Sequence, residues 1–285
     1  MKYYRKLKNT AGLVVLAIPA LIAFYPVLFL LTGSLMGAQE LKDNLGPVLT
    51  GTRGYIKWEL LPLYPTLRHY VELLLDSPEV FVMFWNSVKM TLGILAGQLL
   101  VGVPAAWGFA KFRFPGKKLL YTIYIMLMMM PFQVLMLSEY LVLDKLQMVN
   151  SQWGIILPAA FSTFPVFIMY RFFESVPDAV VESAKLDGAG NIQVFLVIGL
   201  PLGSAGIVSS MVLGFLEYWN LIEQPLTFLK DKYLWPMSLF LPNIDLGQAG
   251  MAFVTSVMTL VPSIFVFLAG QDYLEQGIVA AAVKE

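Results

Sequence analysis

Cysteine is absent from this chain of 285 residues, and histidine occurs once, as His69. Without thiols the chain forms neither disulfides nor thiolate metal sites, and a single imidazole cannot build a multi-histidine metal centre. His69 stands close to Pro65, Arg68 and Tyr70, so we expect it to be a solvated loop residue.

Charged residues are scarce as well. They make up 13% of the chain, whereas soluble domains carry roughly 25%. The net charge is zero, so the chain has no basic footprint for nucleic acid. It also lacks Gly-Lys-Ser and Gly-Lys-Thr, the core of the phosphate loop that binds nucleotides. These absences argue against a soluble domain, a nucleic-acid-binding protein and a chain that binds ATP by itself.

Apolar residues make up 58% of the sequence and concentrate in long runs. Each run reaches the ~20 residues that a helix needs to cross the hydrocarbon of a bilayer. Because no water satisfies the backbone there, such runs must be helical. We therefore predict an all-α membrane protein that forms one domain, residues 1–285, with six transmembrane helices. The predicted spans are residues 11–35, 85–110, 119–143, 154–173, 201–222 and 250–270.

Basic residues indicate the orientation of these spans. Lysine and arginine cluster in residues 2–8 and again in residues 111–118, two segments that a six-span chain places on the same side. Cytoplasmic loops carry an excess of lysine and arginine, so we predict that both termini are cytoplasmic. The long external loop, residues 36–80, contains Trp58, Tyr64 and Tyr70, and we expect it to fold as a cap or to lie at the membrane interface.

A polar segment, residues 174–200, separates the fourth and fifth spans. Ser175, Pro177 and Asp178 are typical of a helix start, with Ser175 as the capping residue. Gly188 permits the left-handed backbone that ends a helix. A short helix held between two spans can transmit force to a soluble partner. The alternative is an amphipathic helix lying on the membrane, although such helices usually show more lysine and arginine on the polar face.

The spacing within this segment carries a resemblance. Glu182–Gly188 and Ile198–Pro201 fit the pattern Glu-Ala-Ala, three residues, Gly, nine residues, Ile, any residue, Leu-Pro, with Ser183 in place of the first alanine. This resembles the signature loop of the permease subunits of ABC importers. The resemblance implies the type I importer architecture, a prokaryotic plasma (inner) membrane, and a coupling helix between helices 4 and 5. It assigns contact with the ATPase to Glu182, Ser183, Ala184, Asp187 and Gly188.

Other segments are similar to the carbohydrate branch of that family, in particular to the second permease of maltose-type importers. Residues 105–116 contain a segment similar to Ala-Tyr-Ala-X-Ala-Arg-X-Arg-Phe-Pro-Gly, and residues 276–284 resemble the ending Gly-Leu-X-X-Gly-Ala-Val-Lys. The resemblance implies a homologous second permease, an extracytoplasmic solute-binding protein, and two ATP-binding subunits that hold ATP and magnesium. It implies no cofactor on this chain, which is then not itself an enzyme.

Polar residues inside the spans are costly in lipid and tend to face water or a partner. Glu217, Trp219 and Asn220 combine a carboxylate, an aromatic face and an amide, groups that suit the hydroxyls and C–H faces of a sugar. The alternative for these residues is an aromatic belt at the lipid headgroups. Together with Asn86 at the start of the second span, they are our candidates for a substrate pathway. Further intramembrane polar residues are Lys89, Gln98, Gln133 and Glu139.

The sequence thus favours the permease subunit of an importer that moves a sugar or oligosaccharide into the cytoplasm by alternating access. A permease for another solute, such as a polyol phosphate or a peptide, stays open. A membrane-embedded enzyme is a further alternative, against which we see no paired intramembrane carboxylates and no histidine cluster.

Thiol labelling tests the predicted topology, since the chain has no cysteine of its own. We expect Asn9→Cys and Lys284→Cys to be protected from a membrane-impermeant reagent in intact cells and to react once the cells are opened. Tyr64→Cys, in the predicted external loop, is the control that reacts in both cases. Reaction of either terminal cysteine in intact cells contradicts the topology.

Overall fold

The computed structural model describes residues 2–49, 55, 59, 61–240 and 248–282. In this part of the chain every regular element is a helix, which confirms the predicted all-α class. Trp58 of the predicted cap and residues 283–285 of the tail lie outside the described residues.

The apolar helices confirm that the chain has several transmembrane spans, but they do not set the number of spans at six. Among the described residues, four helical segments are long enough and apolar enough to cross a membrane: Val15–Gly33, Pro78–Lys111, Trp153–Ser175 and Ala249–Glu275. Two further pairs pass the same test but bend sharply, Lys117–Met128 with Phe132–Lys145 by 104° and Asn191–Leu202 with Ser204–Trp219 by 69°. The described residues therefore hold four spans, or up to six if each bent pair is one span.

One compact unit comprises Met1–Phe81 and Phe240–Val261. It contains α1 (Lys2–Gly33), α2 (Ala38–Leu49), α3 (Arg68–Asp76) and the beginning of α15 (Ala249–Ala282). Met36, Leu41 and Ala249 are buried together, with Leu45 and Phe253 packed against them. The Ser34 hydroxyl and the Tyr70 hydroxyl share a hydrogen bond of 2.8 Å. The described part of the segment expected as a cap is thus folded onto this unit.

His69 is not a solvated loop residue, so that prediction is wrong. It lies in α3 with 4% of its surface exposed, one turn before the equally buried Leu73. Residues four apart share a helix face, and this face of α3 points into the unit. There the imidazole of His69 leaves no room for a side chain at Gly250, because a Cβ on Gly250 would lie 2.3 Å from the ring. The nearby Pro65 suggested a loop, but α3 begins only at Arg68.

The second compact unit comprises Val82–Leu239 and Pro262–Glu285. Its first helix, α4 (Pro78–Gly97), passes through a π-helical turn (Gln98–Gly102) into α5 (Val103–Lys111). The following helices are α6 (Lys117–Met128), α7 (Phe132–Lys145), α8 (Trp153–Ala160), α9 (Thr163–Ser175), α10 (Asp178–Leu186), α11 (Asn191–Val194), α12 (Leu200–Leu202), α13 (Ser204–Trp219) and α14 (Glu223–Phe228). A second π-helical turn, Phe195–Gly199, joins α11 to α12.

The core of this unit forms around Trp107, which is 3% exposed. Its ring meets the ring of Phe173 edge-on, with centroids 5.3 Å apart and planes at 84°. We call the buried residues around it the Trp107 cluster: Val103, Ala106, Trp107, Val166, Met169, Phe173, Val176, Val181 and Val194. The cluster joins α5, α9, α10 and α11, so it connects the membrane helices to the segment between them.

Gln98, at the first π-helical turn, ties together three elements of this unit. Its side-chain amide donates to the Ala159 carbonyl and to the Tyr218 hydroxyl, both at 2.9 Å. Close packing of the backbones allows this: a Cβ on Gly97 would lie 2.5 Å from the Ala160 side chain. Small residues at helix crossings are typical of membrane bundles.

The Trp107 cluster predicts a sharp sensitivity at the bend between α12 and α13. A Cβ on Gly203 would lie 2.2 Å from the ring of Phe173, which is fully buried and has no room to move. We expect Gly203→Ala to lower the stability of the purified protein by ~1–3 kcal/mol through overpacking. The measurement is a thermal melt followed by size-exclusion chromatography. Gly190→Ala is the matched control, since a Cβ there meets nothing within 4 Å, and equal melting of the two variants contradicts the packing argument.

Candidate functional site

The helix predicted between the fourth and fifth spans is present as α10, Asp178–Leu186. It starts after Pro177, whose backbone is extended. The predicted serine cap is wrong: the Ser175 hydroxyl donates to the Phe172 carbonyl at 2.7 Å. Ser175 therefore bonds back into α9, which ends at that residue, and does not reach the start of α10.

The end of α10 is a complete Schellman motif. Gly188 has a φ of +90°. Its N–H donates to the Lys185 carbonyl at 3.1 Å, and the N–H of Ala189 donates to the Ala184 carbonyl at 3.0 Å. The prediction that Gly188 ends the helix in a left-handed conformation is confirmed. An added Cβ would meet no atom within 4 Å, so the cost of a side chain at this position comes from the backbone alone.

The inner face of α10 is fixed to the Trp107 cluster. Val181 is 8% exposed and belongs to the cluster, and Ala184 and Ala189 pack against it. Gly199 allows the tight fit, because a Cβ there would lie 2.9 Å from the Trp107 ring. Val180, the residue before Val181, lies outside the buried cluster and is 41% exposed.

Lys111 supplies a polar link to the start of α10 that the sequence reading missed. Its side chain is only 6% exposed, and its ammonium donates to the Val176 carbonyl and, at 2.7 Å, to the Asp178 carboxylate. This bond is the main cause that lowers the pKa of the Asp178 carboxyl below its usual value. The link is intact above the ordinary pKa of aspartate and is lost as the pH falls through the lowered value. The only sequence signal was a basic residue in the segment 105–116.

Four of the five residues that were expected to contact an ATPase lie on the outer face of α10 or directly after the helix, whereas the fifth, Ala184, packs inward against the Trp107 cluster. Glu182, Ser183, Asp187 and Gly188 are exposed, and Ala184 is half-buried. Leu186 stands beside them with 89% of its surface exposed. A face with a carboxylate at each end and a free leucine between them is suited to contact with another protein.

The predicted pathway residues are brought together only in part. Asn86 is 2% exposed, and its amide donates to the carbonyls of Tyr233 at 2.6 Å and Trp235 at 3.1 Å. Trp219 is likewise 2% exposed, stacked on Phe215. Both residues hold the fold together in this structure.

Glu217 and Asn220, by contrast, are exposed at the end of α13. The Asn220 amide donates to the Leu216 carbonyl at 2.9 Å, within its own helix. Glu217 lines a cleft of about 630 Å³. Glu139, from the α7 half of the first bent pair, lines the same cleft.

The described residues contain no group of three or more histidine, cysteine, aspartate or glutamate side chains placed to hold a metal ion. The two features that remain are the outer face of α10 and the cleft beside Glu139 and Glu217.

The apolar helices form the type I ABC permease fold. The fold matches a chain in the crystal structure of a bacterial ABC transporter involved in the import of the acidic polysaccharide alginate. The TM-score is 0.78 at 21% sequence identity, over 94% of this chain and 96% of that one. The chain belongs to the family described as the binding-protein-dependent transport system inner membrane component, whose profile matches residues 98–280.

Curated relatives agree with this assignment. The arabinooligosaccharides transport system permease protein AraQ of Halalkalibacterium halodurans is 28% identical over 93% of this chain and 92% of its own length. The galactooligosaccharides transport system permease protein GanQ of Bacillus subtilis is 28% identical over 100% of this chain and 98% of its own length. The sn-glycerol-3-phosphate permease protein UgpE of Escherichia coli is 29% identical over 72% and 74%. The resemblance to ABC importer permeases is confirmed, and the chain is a multi-pass membrane protein of a family of transporter subunits, not enzymes.

The Lys111 link makes a local prediction about α10. Lys111→Met would leave the Val176 carbonyl without its buried donor, and an unsatisfied buried group costs about 1–3 kcal/mol. We expect faster amide hydrogen exchange in residues 178–186. Lys111→Arg keeps a permanent positive charge and its donors and should exchange nearly as the wild type does. Exchange in Lys111→Met that is identical to that of the wild type would show that the link does not hold α10.

Proposed function

We propose that this chain is a permease subunit of an importer that moves a sugar or oligosaccharide into the cytoplasm by alternating access. The observation that supports this proposal most strongly is helix α10, which packs on the Trp107 cluster with one face and is exposed on the other. The substrate class is supported by the names of AraQ and GanQ, which match nearly the full length of the chain.

In this proposal α10 is the coupling helix between the fourth and fifth of six spans, and both termini are cytoplasmic. The segment docks on an ATP-binding subunit through Glu182, Ser183, Ala184, Asp187 and Gly188, with Ala184 at the edge that packs against the Trp107 cluster. The complete importer contains a homologous second permease, two ATP-binding subunits and an extracytoplasmic solute-binding protein. ATP and magnesium reside on the ATP-binding subunits, and this chain, a single permease domain in the inner membrane, holds no cofactor.

The inner face of α10 explains how docking is transmitted. Val181 and Val194 belong to the same buried cluster as Val103 of α5 and Phe173 of α9. Since a packed cluster transmits displacement without compressing, motion of the docked ATPase moves the helices that form the cluster. To shift the two access states from 1:99 to 99:1 takes about 5.5 kcal/mol of differential binding, which ATP and the loaded binding protein supply together.

A second candidate is the import of a polyol phosphate, favoured by the similarity to UgpE of Escherichia coli. That similarity covers 72% of this chain, less than the two oligosaccharide permeases do. The deciding experiment is to isolate the importer with its solute-binding protein and to identify what that protein binds. A phosphate ester in its site would replace the sugar proposal.

Variants of the outer face test the coupling role. We expect Glu182→Lys and Gly188→Asp to leave the permease inserted and paired with the second permease, but to weaken co-purification of the ATPase or to uncouple ATP hydrolysis from uptake. The reasons are charge reversal at an exposed contact and, at Gly188, a Cβ in a left-handed conformation, which costs about 1–2 kcal/mol.

Two controls separate these effects. Asp144→Lys reverses an exposed charge at the end of α7, away from α10, and should couple normally. Gly188→Asn introduces a side chain that tolerates the left-handed conformation, so it isolates the contact from the backbone cost. Wild-type association, hydrolysis and uptake in both Glu182→Lys and Gly188→Asp would mean that α10 is not the coupling element.

A further inference from the structure

We propose that the cleft beside Glu139 and Glu217 is a water-filled saccharide subsite on this chain, and that its carboxylates favour neutral sugars over anionic ones. The inference rests on the proposed import function and assigns the site and its charge selection.

The first observation is that two helix breaks meet at this cleft. The backbone bends by 104° between α6 and α7, and Met130 and Phe132 from that bend line the cleft. The interruption between α8 and α9 contributes Phe161, Ser162 and Thr163. Irregular backbone at membrane depth is tolerated only where protein buries it or where it lines a water-filled cavity. Two breaks that open on one cleft therefore indicate water inside it.

The polar groups of the lining come from three further elements. Glu139 projects from α7, Glu217 and Tyr218 from α13, and Gln224 from α14. Gln98 donates to the Tyr218 hydroxyl at 2.9 Å, which fixes that hydroxyl in position. A few polar groups placed by several elements are typical of ligand sites, and so is the cleft volume of about 630 Å³.

The chemistry of the lining suits a sugar. The carboxylates accept hydrogen bonds from hydroxyls, and the amide of Gln224 both donates to them and accepts from them. The rings of Phe132, Phe161 and Phe164 present apolar faces to C–H groups. The sequence predicted the same mixture of groups within residues 217–220. In the structure Trp219 and Asn220 do not line the cleft, and residues from other helices supply the aromatic and amide groups instead.

The charge of the cleft lining determines which class of sugar the cleft favours. Among the residues that the structure describes, the cleft lining includes two carboxylates and no lysine, arginine or histidine. A cleft of one sign with low-dielectric walls concentrates ions of the opposite sign and repels its own. A uronate or a phosphate ester would enter against two like charges, whereas a neutral oligosaccharide would not.

Thiol chemistry on the assembled importer tests this in full. Ser162→Cys changes one oxygen to sulfur in a chain without other cysteines. The probes are a trimethylammonioethyl and a sulfonatoethyl methanethiosulfonate, which differ in the sign of their charge. We expect the cationic reagent to react faster than the anionic one by about tenfold or more, relative to their rates with a small free thiol. If Ser162→Cys does not assemble, Thr163→Cys serves in its place.

Matched amide variants identify the source of the preference. Glu139→Gln and Glu217→Gln should each reduce it, and Asp144→Asn, on α7 but outside the cleft lining, should leave it unchanged. No reaction with either reagent would overturn the proposal that the cleft is water-filled. Equal rates, or a preference that survives both glutamine variants, would overturn the role of the carboxylates.

Failure of this inference is distinct from failure of the importer proposal. Co-purification of the ATPase and coupled hydrolysis are measured on the same preparations. An importer that assembles and couples but carries sn-glycerol 3-phosphate would overturn the charge selection while leaving the coupling role of α10 intact.

Discussion

The packing of Trp107 against Phe173 is the contact on which the rest of the second unit depends. It lies where α5, α9 and the segment after α10 meet, and it requires glycine at Gly199 and Gly203 because a Cβ at either position would enter a ring. The polar Lys111 link is joined to this apolar contact, because Val176, whose carbonyl accepts from Lys111, belongs to the Trp107 cluster. A lysine side chain that is 6% exposed needs its partners held in place. The exposed helix α10 is therefore held rigidly because its inner face packs on the Trp107 cluster.

The sequence predicted the features that local chemistry determines. The apolar runs mark the helices by length and hydropathy, and the end of α10 followed from a single glycine. Both are properties of a few neighbouring residues, so no knowledge of the fold was needed. The two bends were not predicted, because proline and glycine within an apolar run are compatible with either a straight or a broken helix.

Features that depend on distant residues escaped prediction. The partners of Asn86 lie 147 and 149 residues away, and those of Lys111 lie 65 and 67 residues away. The same is true of His69, whose burial depends on Gly250, and of Glu139 and Glu217, which no sequence pattern brings together. Aromatic and amide side chains read as a site when they are adjacent in sequence, but Trp219 is a core residue. The cleft instead collects its polar groups from separate helices.

The link at Lys111 also imposes an order on the biogenesis of the protein. During synthesis the ammonium has neither of its acceptors until the ribosome has added Val176 and Asp178, more than sixty residues later. Until then a lysine at the end of the second apolar helix must stay hydrated at the membrane surface. The Lys111 end of that helix therefore reaches its native contacts only after α9 and the first residue of α10 have been synthesised.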